Sequence, residues 1–516
     1  NPDNRFTLRA RMREPYDLRV DLLAQKAGRA KAQGDVAAAN VSAIEALRAT
    51  LQTSARSSRP MSGQRLATDP PAEAYALLAT RRYRLEMLTE RGDTASPTFR
   101  ALEREVALLR TRLATGSESS LVSRDLRMRE EPDLARDVVE EGSHRLPVPG
   151  LQLPSDVAVL TYWLGASQSW VWVITRSGVQ LHRLPAKETI DAGVARLLKL
   201  IRSPASGPAE SRAVVAELER LVLPPNIEVG APHWRVVPDG SLGAVPWALL
   251  AQRRGLETAS LLPSAASLFS SLLSDGTVER VRRPRIAMFG DPVFSSADRR
   301  LSGSNAERSL SAAMIPFPEA DQRNLARLSG TALELNSIAK LAGDAVVLQA
   351  TGFEASRDVF LDLPSRRPDV LHMATHAVID SDVPELAALV LSRFDSNGHR
   401  QQGSLRARDI LALASTPPLV VLSACDAAAE PGGVSDGRMT LVRAFLARGS
   451  REVIASLWET SDAAAIELMT RFYEGIYDQG LEPEAALFRA QSALADTARW
   501  AAPYYWAGFV LTRASP

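Results

Sequence analysis

Pro418-Leu-Val-Val-Leu-Ser-Ala-Cys425-Asp426 is the stretch that decides how this chain is read. A short run of Leu and Val, opened by Pro417 and Pro418, has the pattern of a strand covered on both faces. It ends on the only cysteine in 516 residues. The end of such a strand lies at the lip of an α/β sheet, where ligands and catalytic groups gather. A second stretch, Pro368-Asp-Val-Leu-His372-Met-Ala-Thr-His376-Ala377, has the same form and ends on a histidine. His376 precedes Cys425 by roughly 50 residues, room for one crossover. If the two strands are parallel neighbours, both side chains reach one rim. An imidazole beside a thiol lowers the thiol pKa and supplies a proton for a leaving group, which is what covalent acyl transfer needs.

The bland readings are plain. A lone cysteine is most often an inert core residue. Cys425 departs from that pattern because small and polar residues follow it, Asp426-Ala-Ala and then Pro431-Gly-Gly433. His372, four residues before His376, lies deeper in its strand and reads as structural. One cysteine with two histidines is too thin a set for zinc, so no metal and no organic cofactor is expected. Gly433-Val-Ser435-Asp-Gly437 satisfies the G-x-S-x-G pattern of serine hydrolases. It follows a loop and no strand precedes it, so it reads as the entry to a helix over residues 439–447.

Composition narrows the rest. The length calls for two or three domains. With 45% apolar and 23% charged residues the chain is globular. Its 61 basic and 60 acidic residues leave a net charge of +1, which gives no general reason for a nucleic-acid or anionic-membrane partner. One cysteine excludes an intrachain disulfide framework and suits a reducing, cytoplasmic setting. No apolar run approaches the roughly 18 residues of a membrane span. The first residue is Asn, so an upstream segment is open.

Residues 1–146 read as an all-helical region. Two helices joined at Gly34-Asp35 resemble one degenerate tetratricopeptide unit, and residues 72–115 a helical hairpin. From residue 147 strands alternate with helices, the signature of βαβ units and a mainly parallel sheet. Asp156-Val-Ala-Val-Leu-Thr-Tyr-Trp163 and Ser169-Trp-Val-Trp-Val-Ile-Thr175 read as a hairpin, with helices over 188–201 and 210–223. His182 and His233 sit singly on strands and read as ordinary packing or surface residues. The division expected is 1–146, then 147–280 and 281–516 as two halves of one α/β domain.

At this point the motifs resemble a family. A histidine followed some 50 residues later by Ser423-Ala-Cys425 resembles the CHAT-domain family of caspase-like cysteine proteases, in the clan of caspases and separases. The resemblance also rests on Phe289-Gly-Asp-Pro292, Leu371-His-Met-Ala-Thr-His376, Ser456-Leu-Trp-Glu-Thr-Ser-Asp462 and Tyr505-Trp-Ala-Gly-Phe509. It implies a caspase-like three-layer sandwich with a mainly parallel sheet, a pseudo-caspase half preceding the catalytic half. It implies a cysteine endopeptidase in which Cys425 attacks the scissile carbonyl and His376 protonates the departing amine. Backbone N–H groups at Ala377 and Cys425 would hold the oxyanion; related proteases place Gly after the histidine, where this chain has Ala377. Asp462 resembles the acid with which separases read a basic residue before the cut, and a helix cap is the other role open to it. Trp458 and Asp426 would complete the pocket, with core packing an equal role for Trp458. The resemblance implies protein substrates, a regulatory protein partner on the N-terminal helices, nucleic acid at most indirectly, and bacterial defence or signalling. The competing reading is a catalytically silent caspase-like scaffold or sensor.

Overall fold

The computed structural model describes residues 24, 99–107, 153–223, 231–264, 267, 283–301, 325–378, 387–423, 425–426 and 436–515, with the backbone alone at 425–426 and 436–438. Apart from Ala24, the tetratricopeptide-like unit, with most of the helical hairpin and residues 302–324, lies outside the described residues.

The apolar runs form strands where their spacing predicts them. The first half opens with β1 (Val157–Trp163), β2 (Ser169–Thr175) and β3 (Gly178–Leu184). Helices α1 (Lys187–Ile201) and α2 (Pro208–Val222) follow, then β4 (His233–Val237), α3 (Trp247–Arg253) and β5 (Thr258–Leu261). Pro208 and Glu210 in the first turn suit the unpaired N–H groups and positive dipole end of α2. The second half begins at β6 (Ile286–Pro292) and continues with α4 (Ser329–Ala342), β7 (Val346–Gly352), α5 (Arg357–Leu361) and α6 (Leu363–Arg366). Next come β8 (Val370–Ala374), β9 (His376–Val378), β10 (Ala388–Val390), β11 (Ser404–Arg406), α7 (Ala407–Ala412), β12 (Leu419–Leu422) and β13 (Cys425–Asp426). The chain closes with α8 (Asp436–Ala447), β14 (Glu452–Ser456), α9 (Asp462–Tyr477), α10 (Pro483–Ala495) and β15 (Phe509–Arg513).

Eleven strands make one sheet in the order β3-β2-β1-β4-β5-β15-β14-β12-β8-β6-β7. Its pairs are parallel except for β1–β2, β2–β3 and β14–β15. Alternation along the strands builds a core on each face. Ile286 and Met288 of β6 join Leu335 and Ile338 of α4 and Leu468 and Phe472 of α9. Ala287 and Phe289, one residue out of step, join Phe360 of α5 and Phe445 of α8. Helices thus cover both faces of the second half, and the protein has the expected three-layer α/β class. Burying each of these Leu, Ile and Phe side chains contributes about 1.5–3 kcal/mol.

In the middle of the sheet β5 and β15 share one register pair, Thr512 with Leu261, and one apolar core continues past them on both sides. A buried ion network lies beside this pair. Arg235 of β4 donates to Glu484 of α10 at 2.5 Å, and Arg513 of β15 lies 3.1 Å from Glu484 and 3.2 Å from Glu452. Trp163, Trp170 and Trp172 form a separate cluster, in which Ala24 of the N-terminal region is buried. His182 contacts Gln180, and His233 contacts Thr258, Asp156 and Glu257, so both are ordinary structural histidines.

One expectation needs correcting. The strands carrying His376 and Cys425 do not run unbroken to those residues. β8 stops at Ala374 and β12 at Leu422; the chain then leaves the large sheet and pairs again in a second one. This small sheet has the order β11-β10-β9-β13. The break follows from Thr375, whose buried hydroxyl donates to the Val390 carbonyl of β10. That bond turns the chain toward β10 and away from β12.

Candidate active site

Parallel neighbours β8 and β12 deliver the two segments side by side, with Leu422 in register with Met373. Beyond the break the pairing resumes in parallel between β9 and β13, and Cys425 is the register partner of His376. Neighbouring strands lie about 4.8 Å apart. Positions 425 and 376 therefore sit next to each other at the carboxyl edge of the large sheet, the place the sequence points to.

The His376 side chain is 6% exposed and tightly constrained. Its Nε2 lies 2.8 Å from the Ala326 carbonyl oxygen. A carbonyl only accepts, so Nε2 carries the proton and Nδ1 carries the lone pair. Nδ1 is buried and has no hydrogen-bond partner among the described residues. An orphaned buried acceptor is costly in a resting fold and asks for an explanation. The ring of Phe294 packs against the imidazole at 5.0 Å, within an apolar cluster that includes Leu325 and Val390. Phe294, Leu325 and the Ala326 carbonyl carry no sequence pattern that marks them, and sequence reasoning missed all three.

Burial pushes the His376 imidazole below the ordinary histidine pKa. The Ala326 hydrogen bond, Glu459 and Asp462 oppose the shift, and Arg393 adds to it. A charged imidazolium is thereby disfavoured. If His376 acts in catalysis, the acid limb of kcat/KM, which reports the free protein, is expected below the ordinary histidine value of about 6.5. A pH profile on a peptide substrate checks this, and a midpoint at or above that value would contradict it. The same shift acts on stability. Above about pH 6.5 the contribution is complete, and it declines as the unfolded chain takes up a proton that the native site resists.

The other candidates fall in different places. His372 is fully buried in β8, its Nδ1 3.2 Å from the Tyr473 hydroxyl and its Nε2 3.0 Å from Glu334. The Glu334 contact is close in distance but not aligned as a hydrogen bond. His372 thus serves packing between β8, α4 and α9, as its depth in the strand predicts. Trp458 is 5% exposed, donates to the Tyr504 carbonyl at 3.0 Å, and packs over Gly508 where a Cβ would come within 3.1 Å of its ring. Ala377 of β9 is in register with Leu389 on one side and Asp426 on the other. An oxyanion role requires its N–H on the Asp426 side, away from β10.

Asp462 is the first residue of α9, and Ser461 occupies the cap position without a side-chain cap bond. Its carboxylate makes no hydrogen bond or salt bridge among the described residues. It lies over Gly330 near the start of α4, where a Cβ would come within 2.4 Å of Oδ2. Asp462 is therefore not the N-cap. Glu459 is also exposed, and both acids act on His376 across space. If Asp462 reads a basic residue before a cut, Gly330→Ala, which pushes its carboxylate aside, should raise KM for such substrates and leave KM for other substrates unchanged. Of the G-x-S-x-G stretch, Asp436 and Gly437 lie in α8 and positions 433–435 lie outside the described residues. Among the described residues no cluster of three or more His, Cys, Asp or Glu could hold a metal ion. No helix among them is long and apolar enough to cross a membrane.

A family model described as the CHAT domain matches residues 212–514, more than half of the chain. The chain belongs to the CHAT-domain family. Curated relatives include tetratricopeptide repeat protein 28 of Mus musculus, 37% identical over 109 residues, and its Homo sapiens counterpart, 35% identical over 111 residues. The matches take in 21% and 22% of this chain and 4% of each relative's length. Among solved structures, the Saccharomyces cerevisiae separase–securin complex is similar over 92% of this chain and 37% of that one, with a TM-score of 0.45 and 11% identity. The Arg-specific cysteine proteinase gingipain R is similar over 63% and 73%, with a TM-score of 0.33 and 9% identity. This CHAT domain starts within α2 and ends at the last strand, so it takes in the whole small sheet.

Proposed function

We propose that this CHAT-domain protein is a cysteine endopeptidase working through a Cys425/His376 dyad. The observation that carries the proposal is the register of Cys425 against His376, whose Nε2 faces the Ala326 carbonyl and whose buried Nδ1 has no hydrogen-bond partner among the described residues. In this mechanism Nδ1 takes the thiol proton as sulfur attacks the scissile carbonyl, and a tetrahedral adduct forms. The adduct collapses with the C–N bond breaking, and the same proton passes to the departing amine. Water then attacks the thioester carbonyl, giving its proton to Nδ1, and the thiol is restored as the acyl group leaves. Backbone N–H groups at Cys425 and Ala377 would stabilise the oxyanion, each worth about 2.7–4 kcal/mol.

The substrate is a protein with Arg or Lys before the cut. Glu459 and Asp462 support this, because both are exposed, unpaired among the described residues, and close enough to act on His376. Regulation through the N-terminal helices fits the burial of Ala24 against the tryptophan cluster of the first half. A setting in prokaryotic defence or signalling, with a partner that releases the protease, follows the family resemblance.

Identification of new protein N-termini tests the function, comparing the wild type with Cys425→Ala in the same lysate. Cuts after Arg or Lys seen only with the wild type are expected. Identical N-termini in both samples would remove the peptidase reading and leave a silent scaffold.

A further inference from the structure

We infer that Asp291 and Arg327 form a positioning clamp that sets the tautomer and orientation of His376 through the Ala326 carbonyl. The inference rests on the reading of His376 as the histidine of the dyad. Ala326 belongs to the short segment that leads into α4, outside any regular ladder. A free-standing carbonyl in such a segment orients nothing unless its backbone is held.

Asp291 holds it at two points and is itself braced at a third. Both carboxylate oxygens accept from Arg327, Oδ1 from Nε at 2.9 Å and Oδ2 from Nη2 at 2.7 Å. This two-point pairing fixes direction as well as distance. The Asp291 N–H donates to the Thr331 hydroxyl at 2.8 Å, and that hydroxyl donates to the Leu328 carbonyl at 2.7 Å. Arg300 braces the same corner from behind, 3.1 Å from Oδ2 and 2.8 Å from the Asp291 carbonyl. The residue after Ala326 and the one after that are thus both tied to the end of β6.

The backbone of Asp291 supports the assignment. Its φ is 46°, in the left-handed region that costs non-glycine residues energy. Gly would adopt this conformation without strain, but it has no carboxylate to grip Arg327. Such strain persists where the surroundings over-determine it, and it gathers at functional sites. The Asp291 side chain is 6% exposed and faces two guanidinium groups, so a buried carboxylate is committed to this corner.

Arg327 is the variant of choice, because its side chain is 48% exposed and its loss opens no core. Ring ¹⁵N shifts of His376, assigned with His376→Ala and read above the histidine titration range, report the tautomer without any substrate. The wild type should show a single form with Nε2 protonated. Arg327→Ala should show a mixture of both neutral tautomers with an unchanged melting temperature. Its kcat on a cleavable peptide should fall about tenfold or more while KM stays within about twofold. Arg327→Lys, limited to one contact, should lie between. Asp291→Asn, which tolerates the same φ, should reproduce the effect from the other side of the pair. An unchanged His376 tautomer in both Arg327→Ala and Asp291→Asn overturns the inference, whatever happens to kcat. If the tautomer shifts as expected but the wild type cleaves no peptide, the clamp stands and the peptidase reading falls.

Discussion

Cys425→Ala is expected to lower kcat/KM on a peptide with Arg before the cut by about 10⁴-fold or more, because it removes the covalent route outright. His376→Ala should cost about 10²- to 10⁴-fold, the range of a lost general acid–base group. The double variant should be hardly worse than Cys425→Ala alone, since residues acting as a unit lose their effect together. Melting temperatures should stay near that of the wild type in each case. Position 425 is in a two-residue strand at the edge of the small sheet, outside the large sheet. Steady-state kinetics checks the set, and residual activity in Cys425→Ala within tenfold of wild type would contradict the dyad.

The second large effect concerns Glu459 and Asp462. Each carboxylate offers a charged acceptor to a guanidinium or ammonium, and a hydrogen bond to a charged group contributes about 1.5–3 kcal/mol. Neutralising both, as Glu459→Gln with Asp462→Asn, should therefore lower kcat/KM for a basic residue before the cut by about 100-fold or more. A peptide with a neutral residue there should change little, and the preference should collapse mainly through the basic substrate. Both side chains are exposed, so the variant tests recognition with little effect on folding. Equal losses on both peptides would assign the acids to His376 and not to the substrate.

Much of this arrangement was legible in the sequence, and the parts that were not have physical reasons. Short apolar runs such as Leu419-Val-Val-Leu422 announce buried parallel strands because both faces must be covered. The register that brings Cys425 to His376 follows from two such runs of equal form. What the pattern hides is the switch from the large sheet to the small one. Thr375 is β-branched and favours strands, so nothing in its type signals a break; only its bond to the Val390 carbonyl reveals one. Asp462 illustrates the one-residue limit of helix boundaries, since Ser461-Asp462 fits a cap at either position. The Ala326 carbonyl was illegible for a deeper reason: every residue has a carbonyl, and its role comes from tertiary placement alone. Phe289-Gly-Asp-Pro292 stands out as a motif, yet nothing in it announces the pairing of Asp291 with Arg327, which lies 36 residues away.

The most direct test of the central claim uses a peptidyl electrophile with Arg at the reactive position and mass-spectrometric mapping of the adduct. Cys425 is the only thiol in the chain, so any thioether adduct maps there and its rate can be followed. The account predicts rapid, saturable labelling of Cys425 in the wild type and near loss of labelling in His376→Ala, while a small generic alkylating reagent still reaches the thiol. Labelling at the same slow rate in the wild type and in His376→Ala would contradict it.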